Sequence, residues 1–115
     1  MDEKIFKERT KKYGLAVIRL TESLPQTRTS DVIGRQTLRC GTSVGANYRA
    51  ACRAKSTADM INKLKIVEEE ADETLYWLEL LQEISPAPEI PTLAKEGNEM
   101  LAMTVASIKT LHLRK

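Results

Sequence analysis

Two proline-bearing breaks, Leu24-Pro25-Gln26-Thr27-Arg28-Thr29 and Ser85-Pro86-Ala87-Pro88-Glu89-Ile90-Pro91, divide this chain into long uninterrupted stretches. A softer break falls at Ala54-Lys55-Ser56. Proline has no amide donor and clashes with the preceding turn, so a helix does not run through such a break. Four segments remain, and in each the apolar residues recur at about 100° per residue, the helical period. Segment one, residues 3–23 with its edge at Leu24, aligns Phe6, Tyr13, Ala16, Val17, Leu20 and Leu24. Segment two, 31–54, opens at Ser30 or Asp31, both good N-caps, and aligns Ile33, Cys40, Val44, Tyr48 and Ala51. Segment three, 57–84, starts with Ser56-Thr57-Ala58-Asp59, a capping-box pattern with Asp in place of Glu or Gln. Its stripe is Met60, Leu64, Val67, Ala71, Leu75, Leu78 and Leu81. Segment four, 92–112, carries Leu93, Gly97, Met100, Leu101, Thr104, Val105, Ile108 and Leu111.

Four amphipathic helices joined by modest connections pack most simply as an all-α, up-down-up-down antiparallel four-helix bundle. A chain of 115 residues suits one such domain, spanning residues 1–115. With aromatics at only 4%, the core must be aliphatic. There is no apolar run of about 18 residues, so no membrane span is expected. The charged start Met-Asp-Glu-Lys-Ile-Phe-Lys-Glu-Arg lacks the apolar stretch of a secretory leader, so secretion is not expected. Two cysteines make no disulfide framework: on one helix Cys40 and Cys52 would stand about 18 Å apart. A reduced, cytoplasmic protein is the expectation.

Segment three has more apolar surface than one bundle core needs. Ile66, Trp77, Leu80 and Ile84 form a second line, about 130° round the helix from the main stripe and within about 60° of one another. Scattered exposed hydrophobes are ordinary, but four on one line with the only Trp mark an interface, and rotational closure makes a ring or dimer the expected assembly. Segment two holds Gly34, Gly41 and Gly45 inside a helical pattern, where each costs about 1 kcal/mol relative to Ala. Gly41 and Gly45, one turn apart, either admit another helix backbone closely or mark a kink.

The formal charge is +2, yet the charges are segregated. From Arg28 to Lys65 eight basic residues face only Asp31 and Asp59, whereas from Glu68 to Glu83 seven acids meet no base. Arg35, Arg39, Arg49 and Arg53 fall within about 80° of arc on one helix. Such a stripe can meet a phosphate backbone, can be a solvated face, or can pair with the acidic helix of the same or a neighbouring subunit. Gln36, Ser43 and Asn47 border the apolar stripe of segment two, where hydrogen bonding between helices is their expected work.

No catalytic residues, metal ligands or cofactor site are expected. Di-iron bundles need Glu-x-x-His motifs, and the sole histidine, His112, belongs to none. Neither cysteine has a histidine within segments two or three to act as base. The run Gly41-Thr42-Ser43-Val44-Gly45 has the wrong spacing for a phosphate loop.

Gln36, Arg39, Ser43 and Asn47, then Leu64, Ile66 and Glu73, resemble the four-helix bundle family related to proteins encoded by intervening sequences in bacterial 23S ribosomal RNA genes. The stretches Ser43–Ala54 and Ile66–Glu73 look like one branch of it, and the resemblance covers residues 6–110. It implies an up-down bundle assembling into a five-membered ring. Where many members have Asn-Ile-Ala-Glu-Gly, this chain has Asn47-Tyr48-Arg49-Ala50-Ala51, and where many have Gly-Ser it has Glu69-Glu70. A similar accessory protein of diversity-generating retroelements works with a reverse transcriptase and RNA, which implies a nucleic-acid partner. The leading expectation is therefore a non-enzymatic, ring-forming bundle binding RNA or another nucleic acid through Arg35, Arg39, Arg49 and Arg53. The alternative is a protein-interaction scaffold, its arginines paired with Glu69, Glu70 and Glu73 across subunits.

Overall fold

A computed structural model describes residues 1–114 as four helices: α1 (Glu3–Glu22), α2 (Arg28–Cys52), α3 (Thr57–Ile84) and α4 (Glu89–Arg114). Lys115, the last residue of the expected domain, lies outside the described residues. No strand occurs among the described residues. The long axis is 48 Å, close to the roughly 42 Å that a 28-residue helix spans at 1.5 Å per residue. The longest helix therefore sets the length of the molecule.

Each of the first three helices starts on a side-chain cap. Asp2 accepts from the amide of Ile5 at 2.9 Å, Thr27 from Ser30 at 3.1 Å, and Ser56 from Asp59 at 3.1 Å. At α3 the Asp59 carboxylate reaches back to accept from the amide of Lys55 at 3.1 Å, one residue beyond the cap Ser56, whose amide a full capping box would engage. Helix α2 begins at Arg28, three residues before the expected start. Thr27 caps as well as Ser30 or Asp31, and its choice frees Ser30 to be buried, with its hydroxyl 2.8 Å from that of Ser85 at the end of α3. Helix α4 also begins early, at Glu89, with Pro91 in its first turn, where a missing amide donor costs nothing.

Contacts between helices pair the start of one with the end of the next. Along α1 and α2, Phe6 meets Tyr48, Thr10 meets Gly45, Val17 meets Gly41 and Leu24 meets Gly34. Along α2 and α3, Ser30 meets Ser85 and Arg39 meets Glu73. Along α1 and α4, Met1 meets Ser107, Arg9 meets Glu96 and Tyr13 meets Gly97. These opposed pairings fit the bundle expected from the short connections.

The core is largely the stripes read from the sequence: Phe6, Val17, Leu20, Val44, Leu64, Val67, Leu78, Leu81 and Met100 are almost wholly buried. Three threonines outside those stripes, Thr10, Thr37 and Thr74, are buried as well. Each returns its hydroxyl to a carbonyl of its own helix, at 3.0, 2.8 and 2.7 Å, so a polar residue enters the core without leaving a donor unpaired. Gly41 and Gly45 of α2 lie against α1, and Gly34 lies against Leu24 in the connection. A Cβ on Gly41 would stand 2.9 Å from both methyls of Val17, and one on Gly45 would stand 3.2 Å from the Thr10 hydroxyl. Helix α2 is continuous through both, and these short distances show the two residues serving the close approach of α1.

Candidate functional site

The four arginines of α2 have different partners. Arg35 pairs with Asp31 one turn earlier, at 2.8 Å, with its side chain 76% exposed. Arg39 reaches across to α3, where its guanidinium binds Glu73 and, at 3.4 Å, Glu70. Its Nε donates to Gln36 Oε1 at 3.2 Å. Among the described residues, Arg49 and Arg53 form no ion pair, and both are exposed. Half of the stripe is therefore already engaged within its own chain.

Arg49 lies on a groove of about 340 Å³ between α1 and α2, together with Lys7 and Lys11. Its floor is made of Thr10, Gly14, Thr42, Gly45 and Ala46, residues too small to fill the space above the seam, and its wall carries Leu15 and Ile18. Leu15 and Ile18 are 41% and 38% exposed. No carboxylate lines the groove, although Lys7 is also 3.3 Å from Glu3. An apolar trough with a cationic rim results.

The second line on α3 is at the surface. Ile66 and Ile84 are 41% and 47% exposed, and Trp77 and Leu80 are half-buried. Tyr76, which the apolar pattern passed over, is 54% exposed and extends the patch, its ring 5.3 Å from that of Trp77. Trp77 donates its indole N–H to Glu73 Oε2 at 3.0 Å. Glu69 and Glu73 share this side of the helix by the helical period, so the patch is apolar and acidic together. Burial raises the pKa of Glu70, with Glu73 and Glu69 adding repulsion and Arg39 opposing it.

Among the described residues, the hydrogen bonds of Gln36, Ser43 and Asn47 stay within α2 and do not cross to another helix. Ser43 donates to the carbonyl of Arg39 at 2.7 Å, Asn47 donates to the carbonyl of Ser43 at 2.9 Å, and Gln36 accepts from Arg39. All of these bonds lie within α2, because a short polar side chain reaches the carbonyl one turn back more easily than it spans to another helix. Besides the Arg39 pairs, a second network joins distant segments, and the spacing of the chain gave no sign of it. Arg9 grips Glu96 with two bonds, at 2.8 and 2.7 Å, and Glu99 at 2.9 Å. A fork-shaped donor beside Glu96 and Glu99 is visible in sequence only once α1 and α4 are known to be neighbours.

The family model described as 23S rRNA-intervening sequence protein matches residues 3–106. The chain belongs to that family. A solved structure from Bacteroides thetaiotaomicron, of a protein of unknown function from the S23 ribosomal protein family, is similar to it with a TM-score of 0.86 and 34% identity. The match covers 95% of this chain and 99% of that one. No curated protein matches the chain.

In this intervening-sequence protein the Tyr48-Arg49-Ala50 stretch puts Arg49 on the α1–α2 groove, and the Glu69-Glu70 pair puts Glu70 against Arg39. Both cysteines are free thiols whose pKa is raised, first by burial, and for Cys52 also by Glu3. A protonated thiol is a poor nucleophile. Among the described residues no group of three His, Cys, Asp or Glu could hold a metal, and no helix is long and apolar enough to cross a membrane.

Proposed function

We propose that this protein is a non-enzymatic, self-assembling bundle of the cytoplasm, in which the outer face of α3 on one copy seats in the α1–α2 groove of the next. The observation carrying this reading is complementarity. The groove offers Lys7, Lys11 and Arg49 around exposed Leu15 and Ile18 with no lining carboxylate. The α3 face offers Ile66, Trp77, Leu80 and Ile84 beside Glu69 and Glu73, on a helix with seven acids and no base between Ile66 and Ile84. Apolar contact supplies the free energy, and opposed charges choose the orientation. Two different faces meeting head to tail generate a closed ring when the rotation between copies closes, and the family resemblance implies a pentamer. Arg39, by contrast, has its acidic partners within its own chain.

Sedimentation equilibrium across protein concentration tests this reading. Wild type should assemble, Lys11→Glu/Arg49→Glu should dissociate it, and adding Glu69→Lys to the reversed variant should restore part of the assembly. A wild type that stays monomeric, or a reversed variant that stays assembled, overturns the proposal.

A second reading, nucleic-acid binding, is favoured by Arg35 and Arg53. They lie on the outward side of α2 beyond the groove, and Arg35 is held only by an exposed pair that phosphate can replace at little cost. Contacts there would be sequence-independent and salt-sensitive. Filter binding of RNA and duplex DNA over a salt series should weaken with salt, and Arg35→Gln/Arg53→Gln should flatten the slope. Affinity indifferent to salt, or untouched by the two changes, removes this reading.

A further inference from the structure

Trp77 stands at the edge of the exposed α3 face nearest α2, and its polar edge is engaged there. Its N–H is bonded to Glu73 Oε2, and Tyr76 flanks its ring at an angle of 60°. The same Glu73 oxygen takes the guanidinium of Arg39 from α2, which is itself oriented through Nε by Gln36. One carboxylate oxygen therefore ties a side chain of α2 to the indole of α3. Arg39 gives Glu73 one charge-assisted bond through Nη2 while its Nη1 turns to Glu70, and that bond, made to the same oxygen that takes the Trp77 N–H, limits how the Glu73 carboxylate can turn.

We infer that Arg39 is a positioning residue for self-association: through Glu73 it fixes the Trp77 indole in the pose in which it meets a second copy of this chain. This inference rests on the self-assembly reading above and assigns Arg39 a part in it that neither phosphate binding nor an intersubunit ion pair describes. Interface aromatics contribute most when they are ordered before binding, because less freedom is then lost on contact. The occupant is a second copy because the face is acidic around its apolar centre, and the α1–α2 groove of the same molecule is its cationic, apolar counterpart. With Glu73 unheld, the indole loses its anchor while remaining on the surface.

A double-mutant cycle on the assembly constant decides it. Arg39→Gln and Trp77→Phe are each expected to weaken assembly about tenfold, and the double variant to be no weaker than Trp77→Phe alone, the signature of groups acting through one another. Glu70→Gln, which removes the other carboxylate on Arg39 and leaves Glu73 in place, should change assembly less than about twofold, so that general loosening of the α2–α3 contact is separated from positioning. A second measurement reads the pose directly. In the charge-reversed Lys11→Glu/Arg49→Glu background, adding Arg39→Gln should speed the decay of Trp77 fluorescence anisotropy without a matching loss of helical circular dichroism. Multiplying effects of Arg39→Gln and Trp77→Phe in an assembling protein, or an indole equally ordered without Arg39, overturns the positioning role alone. A wild type monomeric at every concentration overturns the assembly reading with it.

Discussion

Replacing Gly41 and Gly14 separately with alanine tests how closely α1 and α2 approach, and the two changes should have opposite signs. In a helix interior alanine is favoured over glycine by about 1 kcal/mol, and both positions are helical. At Gly14 the new Cβ would lie 3.8 Å from the Thr42 Cα, an ordinary contact, so most of that gain should be realised. At Gly41 it would lie 2.9 Å from both methyls of Val17, well inside the roughly 3.5–4.0 Å at which carbons rest. Val17 is fully buried, and a β-branched residue in a helix has one strongly preferred rotamer, so it cannot swing aside. Overpacking of this kind costs about 1–3 kcal/mol, and with two methyls struck at once the upper part of that range applies. After the propensity gain, Gly41→Ala should be destabilised by about 1–2 kcal/mol and Gly14→Ala stabilised by about 0.5–1 kcal/mol. For a chain of this size, at about 4 °C per kcal/mol, the difference separates the midpoints by roughly 6–12 °C in a thermal melt followed by circular dichroism. Adding Val17→Ala to Gly41→Ala should relieve the clash and give a favourable coupling energy. A Gly41→Ala variant as stable as Gly14→Ala would refute the close seam and leave the small-residue floor of the groove without its explanation.

Three further outcomes follow from individual contacts. The Tyr13 hydroxyl is buried and has no hydrogen-bond partner among the described residues, a situation that costs about 1–3 kcal/mol, so Tyr13→Phe should raise stability in urea titration by about 1 kcal/mol. Thr27→Ala removes the cap of α2 and should lower stability by about 1 kcal/mol, whereas Ser30→Ala should leave the helix start in place, as amide exchange at residues 28–31 would register. The hydrogen bond from Arg9 holds the Glu96 carboxyl below its ordinary range, and a folded-state pKa lower than the unfolded one stabilises above the unfolded value and is lost as pH falls through the folded one. Chemical denaturation from pH 5 downward should therefore show wild type losing up to about 1 kcal/mol that Glu96→Gln lacks from the start, a modest figure because both side chains keep about 30% exposure.

The helices were legible because what forms them is local. Stripes at i, i+3 and i+4, prolines between them and a capping side chain at the start of each of the first three helices all act within a turn or two. Where several residues could cap, as with Thr27, Ser30 and Asp31, local chemistry left the start of α2 open, and the packing of Ser30 against Ser85 settled it. The buried threonines were illegible for a similar reason: a hydroxyl satisfied by its own helix behaves as an apolar side chain, and nothing in a polarity pattern marks which threonines will do so.

Charge divides differently. The alignment of Arg35, Arg39, Arg49 and Arg53 and the acidic run of α3 are facts of spacing along one helix, as is the second apolar line ending at Ile84. Which arginine is spoken for is a question of distance between helices, and only their packing brings Arg39 to Glu73, leaves Arg49 beside Lys7 and Lys11, and sets Arg9 against Glu96. Helical faces come from steps of 100° that any reader of the chain can count. Partners come from how four such rods are rotated and set in register, which depends on side chains far apart in the chain meeting at contact range.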